Sequence, residues 1–141
     1  MMKCVEIGFT SLIPILWKKI SNRPNAFLGS GMLPTNAYIS QDCEYIIILR
    51  KGSIRKFKPK EELRYKSTFT KEERDLWFQQ IWNIKGIKGA GKTSAFPEEI
   101  PYRLIRMFSI IEDIIVDPFS GTGTTEKVAK ENNRKFIGYQ I

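Results

Sequence analysis

Histidine is absent from this chain of 141 residues, and only two cysteines, Cys4 and Cys43, are present. Catalysis by a Ser-His or Cys-His pair is therefore excluded. The two cysteines lack CxxC spacing, and no histidine could complete a zinc site, so we expect no metal. Two free thiols are typical of a protein in a reducing cytoplasm, which is the location that the sequence predicts.

Long hydrophobic runs are also missing. The longest apolar stretch near the N-terminus, residues 12–17, is too short to span a membrane and contains Pro14. Glu6 interrupts any signal-peptide core, and no small-residue cleavage site is evident. We therefore expect no membrane segment and no secretory signal.

Positive charge, in contrast, is abundant. Lys and Arg number 23 against 15 Asp and Glu, which gives a formal net charge of +8. The charge is concentrated in residues 50–66, called the basic segment, where Phe57 and Tyr65 are interleaved. A clustered basic excess suits a polyanionic partner, most simply nucleic acid. A solvated basic linker is the alternative.

The hydrophobic pattern, with 42% apolar residues in a length that fits one domain, predicts a folded α/β protein. Residues 13–20 and 44–49 have the composition of strands, and the continuous apolar character of 44–49 predicts burial on both faces. Thr70 begins a helix, because Glu73 completes a capping box. Trp82 is expected near the end of that helix.

The last third of the chain is predicted to be helix–strand–helix–strand. The elements are expected at residues 97–109, 113–117, 124–131 and 135–141, and this order is typical of a parallel, doubly wound sheet. The first helix presents one apolar face, formed by Ile100, Leu104, Ile105 and Phe108.

Two glycine loops compete for a ligand-binding role. Residues 86–93, GIKGAGKT, match the phosphate-loop pattern GxxxxGK[ST]. The context disfavours this reading, because the preceding strand is short and half polar. Pro97 also falls where the following helix would need backbone donors. A nucleotide-binding protein that uses residues 86–93 remains an alternative.

The second loop, residues 117–125, has the sequence DPFSGTGTT and is called the glycine turn. Asp117 ends a predicted buried strand, and Gly121 and Gly123 let the backbone pass close to a ligand or adopt positive φ. Thr124 and Thr125 place hydroxyls and free N–H groups at a helix N-terminus, which attracts carboxylate or phosphate. A strand–helix turn without a ligand is the alternative.

The glycine turn resembles the S-adenosylmethionine loop of DNA methyltransferases that methylate exocyclic amines of adenine or cytosine. The order of the other segments resembles the C-terminal, cofactor-binding portion of the β class, a permuted group that includes restriction–modification enzymes. Residues 44–51 are similar to its late hairpin, residues 95–101 to the segment before the cofactor loop, and residues 134–140 to the second cofactor strand. The resemblance implies a partial Rossmann-like methyltransferase sheet, incomplete in this chain.

The resemblance also implies S-adenosylmethionine as the cofactor. Gln140 stands where the family usually has a glutamate that accepts both ribose hydroxyls, and its amide oxygen could accept these bonds without charge assistance. The cofactor-binding residues that the resemblance implies are Phe96, Pro97, Asp117, Phe119, Ser120, Gly121, Gly123, Thr124, Thr125 and Gln140.

The family's catalytic motif, in which Pro-Pro follows Asp, Asn or Ser, is absent, because none of the seven prolines are adjacent. We therefore expect no catalytic residue in this chain. A second polypeptide should supply the catalytic half, or the chain should dimerise, because a central strand would otherwise expose an unpaired edge.

The basic segment falls where β-class relatives place a target-recognition insert. The predicted organisation is residues 1–51 as late strands, 52–95 as a basic connector and 96–141 as the cofactor-binding unit, within one domain. The leading hypothesis is the cofactor half of a DNA methyltransferase, and a catalytically inactive DNA-binding remnant is the alternative. The predicted DNA contacts are Arg55, Lys56, Lys58, Lys60, Arg64 and Lys66.

Overall fold

The computed structural model describes residues 2–20, 41–87 and 96–140. The chain divides into two compact units. The first unit comprises residues 1–51 and 80–86, and the second comprises residues 52–79 and 87–141. No helix within the described ranges is long and apolar enough to cross a membrane.

The first unit is built around one central strand. Its elements are α1 (Met2–Glu6), β1 (Phe9–Ser11), β2 (Ile15–Ile20), β3 (Cys43–Ile46), β4 (Leu49–Lys51) and β5 (Ile81–Lys85). Strand β2 lies between β3, which is antiparallel to it, and β5, which is parallel. Strands β1 and β4 form a separate antiparallel pair.

Two tryptophans on neighbouring strands form the core of this unit. Trp17 of β2 is opposite Trp82 of β5, and both are buried. The Trp17 indole Nε1 donates to the Ile84 carbonyl at 2.9 Å, so its polar atom is satisfied inside the core. Trp82, expected near a helix end, instead lies in a strand with alternating burial.

The prediction of one strand over residues 44–49, buried on both faces, is wrong. The chain forms β3 and β4 there, and they belong to different sheets. Within the described residues β3 pairs only with β2, and Tyr45 is exposed. A continuous apolar run does not specify both faces of a strand, because burial depends on which elements pack against it.

The second unit holds a parallel strand pair joined by a helix. Its elements are α2 (Glu62–Lys66), α3 (Lys71–Trp77), α4 (Glu99–Phe108), β6 (Ile114–Asp117), α5 (Thr124–Glu131) and β7 (Lys135–Gly138). Strands β6 and β7 are parallel, with Asp117 opposite Gly138. On one face of this pair Ile115 and Phe136 pack against buried Ile105, Val128 and Ala129 of α4 and α5.

The opposite face of the β6–β7 pair is apolar and uncovered. Ile114 is 56% exposed and Val116 is 57% exposed, and Ile137 of β7 is exposed beside them. Within the described part of the chain, β6 pairs with β7 alone, so its other edge has no strand neighbour.

The helix–strand–helix–strand prediction for this region is confirmed in type and order, with shorter ends. Helix α4 buries Ile100 and Ile105 of the predicted apolar face, but Phe108 is exposed, and Arg103 is buried in addition. The short helix α2 lies inside the basic segment, where the sequence predicts only a connector. It has no buried residue, so no apolar stripe in the sequence marks it.

The predicted capping box of α3 is present. Thr70 Oγ1 accepts from the Glu73 backbone N–H at 3.1 Å, and the Glu73 carboxylate accepts from the Thr70 N–H at 2.8 Å. We expect Thr70→Ala to destabilise the second unit by about 1 kcal/mol. Urea unfolding followed by circular dichroism measures this. Thr68→Ala, which removes a neighbouring exposed threonine side chain, is the control, and an equal loss in both variants would contradict the prediction.

Candidate functional site

The glycine turn joins the end of β6 to the start of α5 and is bound to the end of β7. The Asp117 carboxylate accepts from the Phe119 backbone N–H at 2.9 Å, which closes the first part of the turn. The Ser120 N–H donates to the Tyr139 carbonyl at 2.9 Å, and the Tyr139 N–H donates to the Asp117 carbonyl at 3.0 Å. The turn is thus held by the segment after β7 as well as by its own residues.

Two glycines in the turn have the left-handed backbone conformation that the sequence suggested. Gly121 has a φ of 48° and Gly123 a φ of 77°. A Cβ at Gly123 would meet nothing within 4 Å, so conformation, and not crowding, requires glycine there. The space beside Gly123 is open and accessible to a ligand.

A third glycine, Gly138 at the end of β7, is required by close packing. A Cβ at this position would lie 2.5 Å from the Phe136 ring and 3.0 Å from Ser120 Oγ. Gly138 and Tyr139 therefore support the turn, although sequence reasoning missed both. The parallel register of the two strands would have revealed them, because it places residues 138–139 beside residues 117–120.

Helix α5 presents unpaired backbone donors to the open space. Gly123 is its N-cap, and no side chain caps the helix. The N–H groups of its first turn have no acceptor within the helix, and they carry the positive end of the helix dipole. Thr122 Oγ1 and Thr124 Oγ1 lie 3.1 Å apart, so two hydroxyls stand at the same place. This end of α5 suits a carboxylate or phosphate.

Gln140 lies at the same edge of the strand pair as the glycine turn. It follows Tyr139, whose backbone is bonded to Asp117 and Ser120, and its side chain is exposed. A carboxylate at Asp117, free donors at α5 and an amide at Gln140 therefore surround one edge. These groups suit a ligand with an ammonium, a carboxylate and hydroxyls, which is the chemistry of S-adenosylmethionine.

Phe96 and Pro97 lie directly before α4 and are partly buried. The next residue, Glu98, accepts a hydrogen bond from Lys127 Nζ of α5 at 2.7 Å. This bond raises the pKa of Lys127 above its ordinary value. The ion pair thus places the segment that holds Phe96 and Pro97 beside the first half of α5. Sequence reasoning did not identify the pair, because the partners are 29 residues apart.

A family model for N6/N4 methyltransferases, described as DNA methylase, matches residues 1–141. The chain belongs to the DNA methylase family. The predicted family is thereby confirmed, and a solved structure with a TM-score of 0.78 confirms the α/β fold class.

Relatives of this DNA methylase chain are about twice its length. The Type II methyltransferase M.MjaI of Methanocaldococcus jannaschii is 63% identical over 141 residues, which cover 96% of this chain and 46% of the relative. M.MthZI of Methanothermobacter thermautotrophicus is 44% identical, and the match covers 95% of this chain and 41% of that relative. A DNA modification methylase of Thermus thermophilus, solved as a complex with S-adenosyl-L-methionine, is 36% identical with a TM-score of 0.78. That match covers 99% of this chain and 51% of the other.

The basic segment of this DNA methylase chain is exposed at its surface. Arg55 Nη1 binds Asp113 Oδ2 at 2.7 Å, and Lys66 pairs with Glu62 within α2. The bond to Glu62 raises the pKa of Lys66 above its ordinary value. Among the described residues, no carboxylate forms an ion pair with the other predicted DNA contacts, Lys56, Lys58, Lys60 and Arg64.

Most of the competing loop at 86–93 lies outside the described residues. Strand β5, which precedes it, has alternating burial and ends at Lys85. Within residues 2–20, 41–87 and 96–140, no group of three or more Cys, Asp or Glu side chains could hold a metal ion. Cys4 and Cys43 are free thiols, and a hydrogen bond to Asp42 raises the pKa of Cys43.

Proposed function

We propose that this chain is the cofactor-binding part of an S-adenosylmethionine-dependent DNA methyltransferase. The proposed reaction is methyl transfer to an exocyclic amine of adenine or cytosine, within restriction–modification. The observation that carries the proposal is the glycine turn. Its positive-φ glycines, its carboxylate at the end of β6 and the uncapped α5 converge on one open edge. The cytoplasm is the expected location, because the substrate DNA lies there.

The residues of the edge have distinct proposed roles. Asp117 would accept the ammonium of the methionine moiety, while the N–H groups of α5 with Thr124 and Thr125 would hold its carboxylate. Gln140 would accept the ribose hydroxyls. Phe119, Ser120, Gly121 and Gly123 would form the wall of the turn, and Phe96 and Pro97 would line the pocket. When bound, the cofactor supplies an electrophilic methyl group on its sulfonium.

The catalytic groups would come from polypeptide that this chain does not contain. Two observations support this. The chain lacks the Pro-Pro motif, and the relatives have about as much sequence again outside the match. The uncovered face and open edge of β6 provide a surface where such a polypeptide could pack. A homodimer would cover this surface but would not supply the motif, so we favour polypeptide that carries the motif over a second copy of this chain.

The basic segment is proposed to contact DNA phosphates. Lys56, Lys58 and Lys60 are exposed, and no acidic partner among the described residues neutralises them. Arg55, Arg64 and Lys66 complete the proposed set. Binding through such contacts should weaken steeply as salt concentration rises, because counterions compete for the phosphates.

Calorimetry with S-adenosylmethionine tests the cofactor site. We expect binding by the wild-type chain and an affinity lower by about tenfold or more in Asp117→Asn, because a charged hydrogen bond is replaced by a neutral one. Asparagine can still accept the Phe119 N–H bond, so the turn should keep its shape. Asp75→Asn, the same change at an exposed position of α3, should bind as wild type does.

Two results would contradict the cofactor site. One is no binding heat at millimolar cofactor from protein that circular dichroism shows to be folded. The other is equal affinity in wild type and Asp117→Asn. Salt-dependent DNA binding without cofactor binding would favour the alternative, a DNA-binding remnant.

A further inference from the structure

A cavity lies within the second unit, away from the glycine turn. Its volume is about 750 Å³, in the range of small-ligand sites. One wall comes from the basic segment and the other from the end of α4 and the residues after it. The residues that matter for its chemistry are Arg55, Phe57, Arg64, Tyr65, Arg106 and Phe108.

Positive charge exceeds negative charge around this cavity. Arg55 is paired with Asp113 at 2.7 Å, and Arg106 Nη2 forms an ion pair with Glu73 at 3.5 Å and donates to the Thr68 carbonyl at 2.9 Å. The buried Nε of Arg106 has no hydrogen-bond partner among the described residues, and Arg64 has no ion pair there. Among the described residues, the guanidinium of Arg64 is therefore the one lining cation that no carboxylate balances, and the Nε donor of Arg106 is free for a ligand.

A buried arginine that is bonded to Ser109, one of the lining residues, adds to this excess. Arg134 is only 4% exposed, and its guanidinium donates to neutral oxygens. These are the Ser109 carbonyl at 2.8 Å, Ser109 Oγ at 3.1 Å and the Asn132 carbonyl at 2.7 Å. Burial and the charge of Arg106 lower the pKa of Arg134, and Asp113 opposes this. Since Ser109 also lines the cavity, the charge of Arg134 favours an anion there.

Aromatic rings stand among these cations. The guanidinium carbons of Arg64 and Arg55 lie 4.5 and 5.0 Å from the centre of the Phe57 ring. Tyr65 is 65% exposed and Phe108 is 55% exposed, so two further aromatic side chains are accessible. Arginines next to exposed aromatic rings are the combination by which proteins bind nucleotides with unstacked bases.

The cavity is not part of the proposed cofactor site at the glycine turn. Two residues that line it, Ser109 and Ile110, precede β6. Asp113, which pairs with Arg55, also precedes β6. The glycine turn follows β6, and four residues of strand separate the two sites by about 10 Å. A ligand in the cavity would thus lie toward the amino end of β6, and the proposed cofactor toward its carboxyl end.

We propose that this cavity binds an unpaired nucleotide, with phosphate at Arg64 and Arg106 and the base stacked on Tyr65 or Phe108. The nucleotide could be free or part of a single strand of DNA. A base paired in a duplex is already stacked between its neighbours and cannot take this position. The proposal needs neither the cofactor nor a catalytic half, but it rests on the proposed DNA contact of the basic segment, with which it shares Arg64.

Fluorescence anisotropy with a labelled single-stranded oligothymidylate, in the absence of S-adenosylmethionine, tests the proposal. We expect binding by the wild-type chain and about tenfold weaker binding by Arg64→Gln and by Tyr65→Ala. The first variant loses the charge that holds the phosphate, and the second loses the ring on which the base stacks. Tyr65→Phe should restore binding. Lys71→Gln, an equal loss of charge at the exposed start of α3, should bind as wild type does. Circular dichroism confirms that each variant is folded.

Competition distinguishes the two sources of nucleotide. Displacement by thymidine monophosphate supports a site for free nucleotide. Failure of thymidine monophosphate to displace the oligonucleotide, with the variant effects retained, supports a nucleotide within a strand.

Three results would overturn the proposal. They are displacement by inorganic phosphate as effective as by thymidine monophosphate, equally tight binding of duplex DNA, or losses in Arg64→Gln and Tyr65→Ala no larger than in Lys71→Gln.

Discussion

Methyl transfer to DNA is expected when this chain is combined with a second polypeptide that carries the catalytic motif, and neither polypeptide should be active alone. The reason is chemical. An exocyclic amine must be held by groups that accept its hydrogens before it can attack a methyl group, and the Pro-Pro motif of the family is absent from this chain. The proposed cofactor site would present a methyl group, but the motif that would hold the amine is not among these 141 residues.

The experiment uses the part of M.MjaI that lies outside its match to this chain, because the two proteins are 63% identical. Tritium from labelled S-adenosylmethionine should appear in DNA only in the mixture. Asp117→Asn in this chain should reduce the incorporation, while Asp75→Asn should not.

The uncovered face of the β6–β7 pair supplies a second readout for the same mixture. The exposed side chains Ile114, Val116 and Ile137 should become protected when the partner binds. Ile114→Lys with Val116→Lys should therefore abolish the restored activity without loss of cofactor binding. Methyl transfer by this chain alone, or an inactive mixture in which both folded polypeptides associate, would contradict the prediction.

Trp82→Ala is expected to cost about 3–5 kcal/mol in the first unit, a much larger stability loss than that of Thr70→Ala in the second. Trp82 is only 1% exposed and lies opposite Trp17, so removal of its ring leaves a large cavity in a small sheet. Since domains are stable by only about 5–15 kcal/mol, such a loss should unfold the first unit in much of the population.

Hydrogen exchange measured by mass spectrometry tests this, because it separates the two units of the chain. Amides of β2 and β5 should lose protection in Trp82→Ala, while those of α4 and α5 should keep it. Ile81→Ala is the matched control, since Ile81 is on the same strand but exposed, and it should have a much smaller effect. Retained protection of β2 in Trp82→Ala would show that the tryptophan does not support the core as its burial indicates.

The glycine turn and the capping box were predictable because their signals are local. The order of an apolar strand, an acidic residue, two glycines and a polar helix permits few backbone conformations, and the structure has Gly121 and Gly123 at positive φ. Thr70 and Glu73 are three residues apart, so their reciprocal bonds need only one helical turn. Neither motif depends on distant parts of the chain.

Other predictions failed where burial depends on distant partners. The run at 44–49 has the same composition whether it forms one strand or two, and only the pairing with β2 and β1 divides it. Trp82 follows α3 closely in sequence, yet its strand pairs with β2. Its partner there is Trp17, which lies 65 residues earlier in the chain. Sequence patterns describe one segment at a time and carry no information about such pairings.

The sequence by itself determined the family and the component parts of this protein: a glycine turn that resembles a cofactor loop, a basic segment and no Pro-Pro motif. The tertiary structure alone decided where these parts lie. Tyr139 holds the turn from β7, and the ion pair between Arg55 and Asp113 joins residues 58 positions apart, which brings the basic segment to the amino end of β6. The physical reason is that residue type determines what a group can bind, whereas chain packing determines which groups meet.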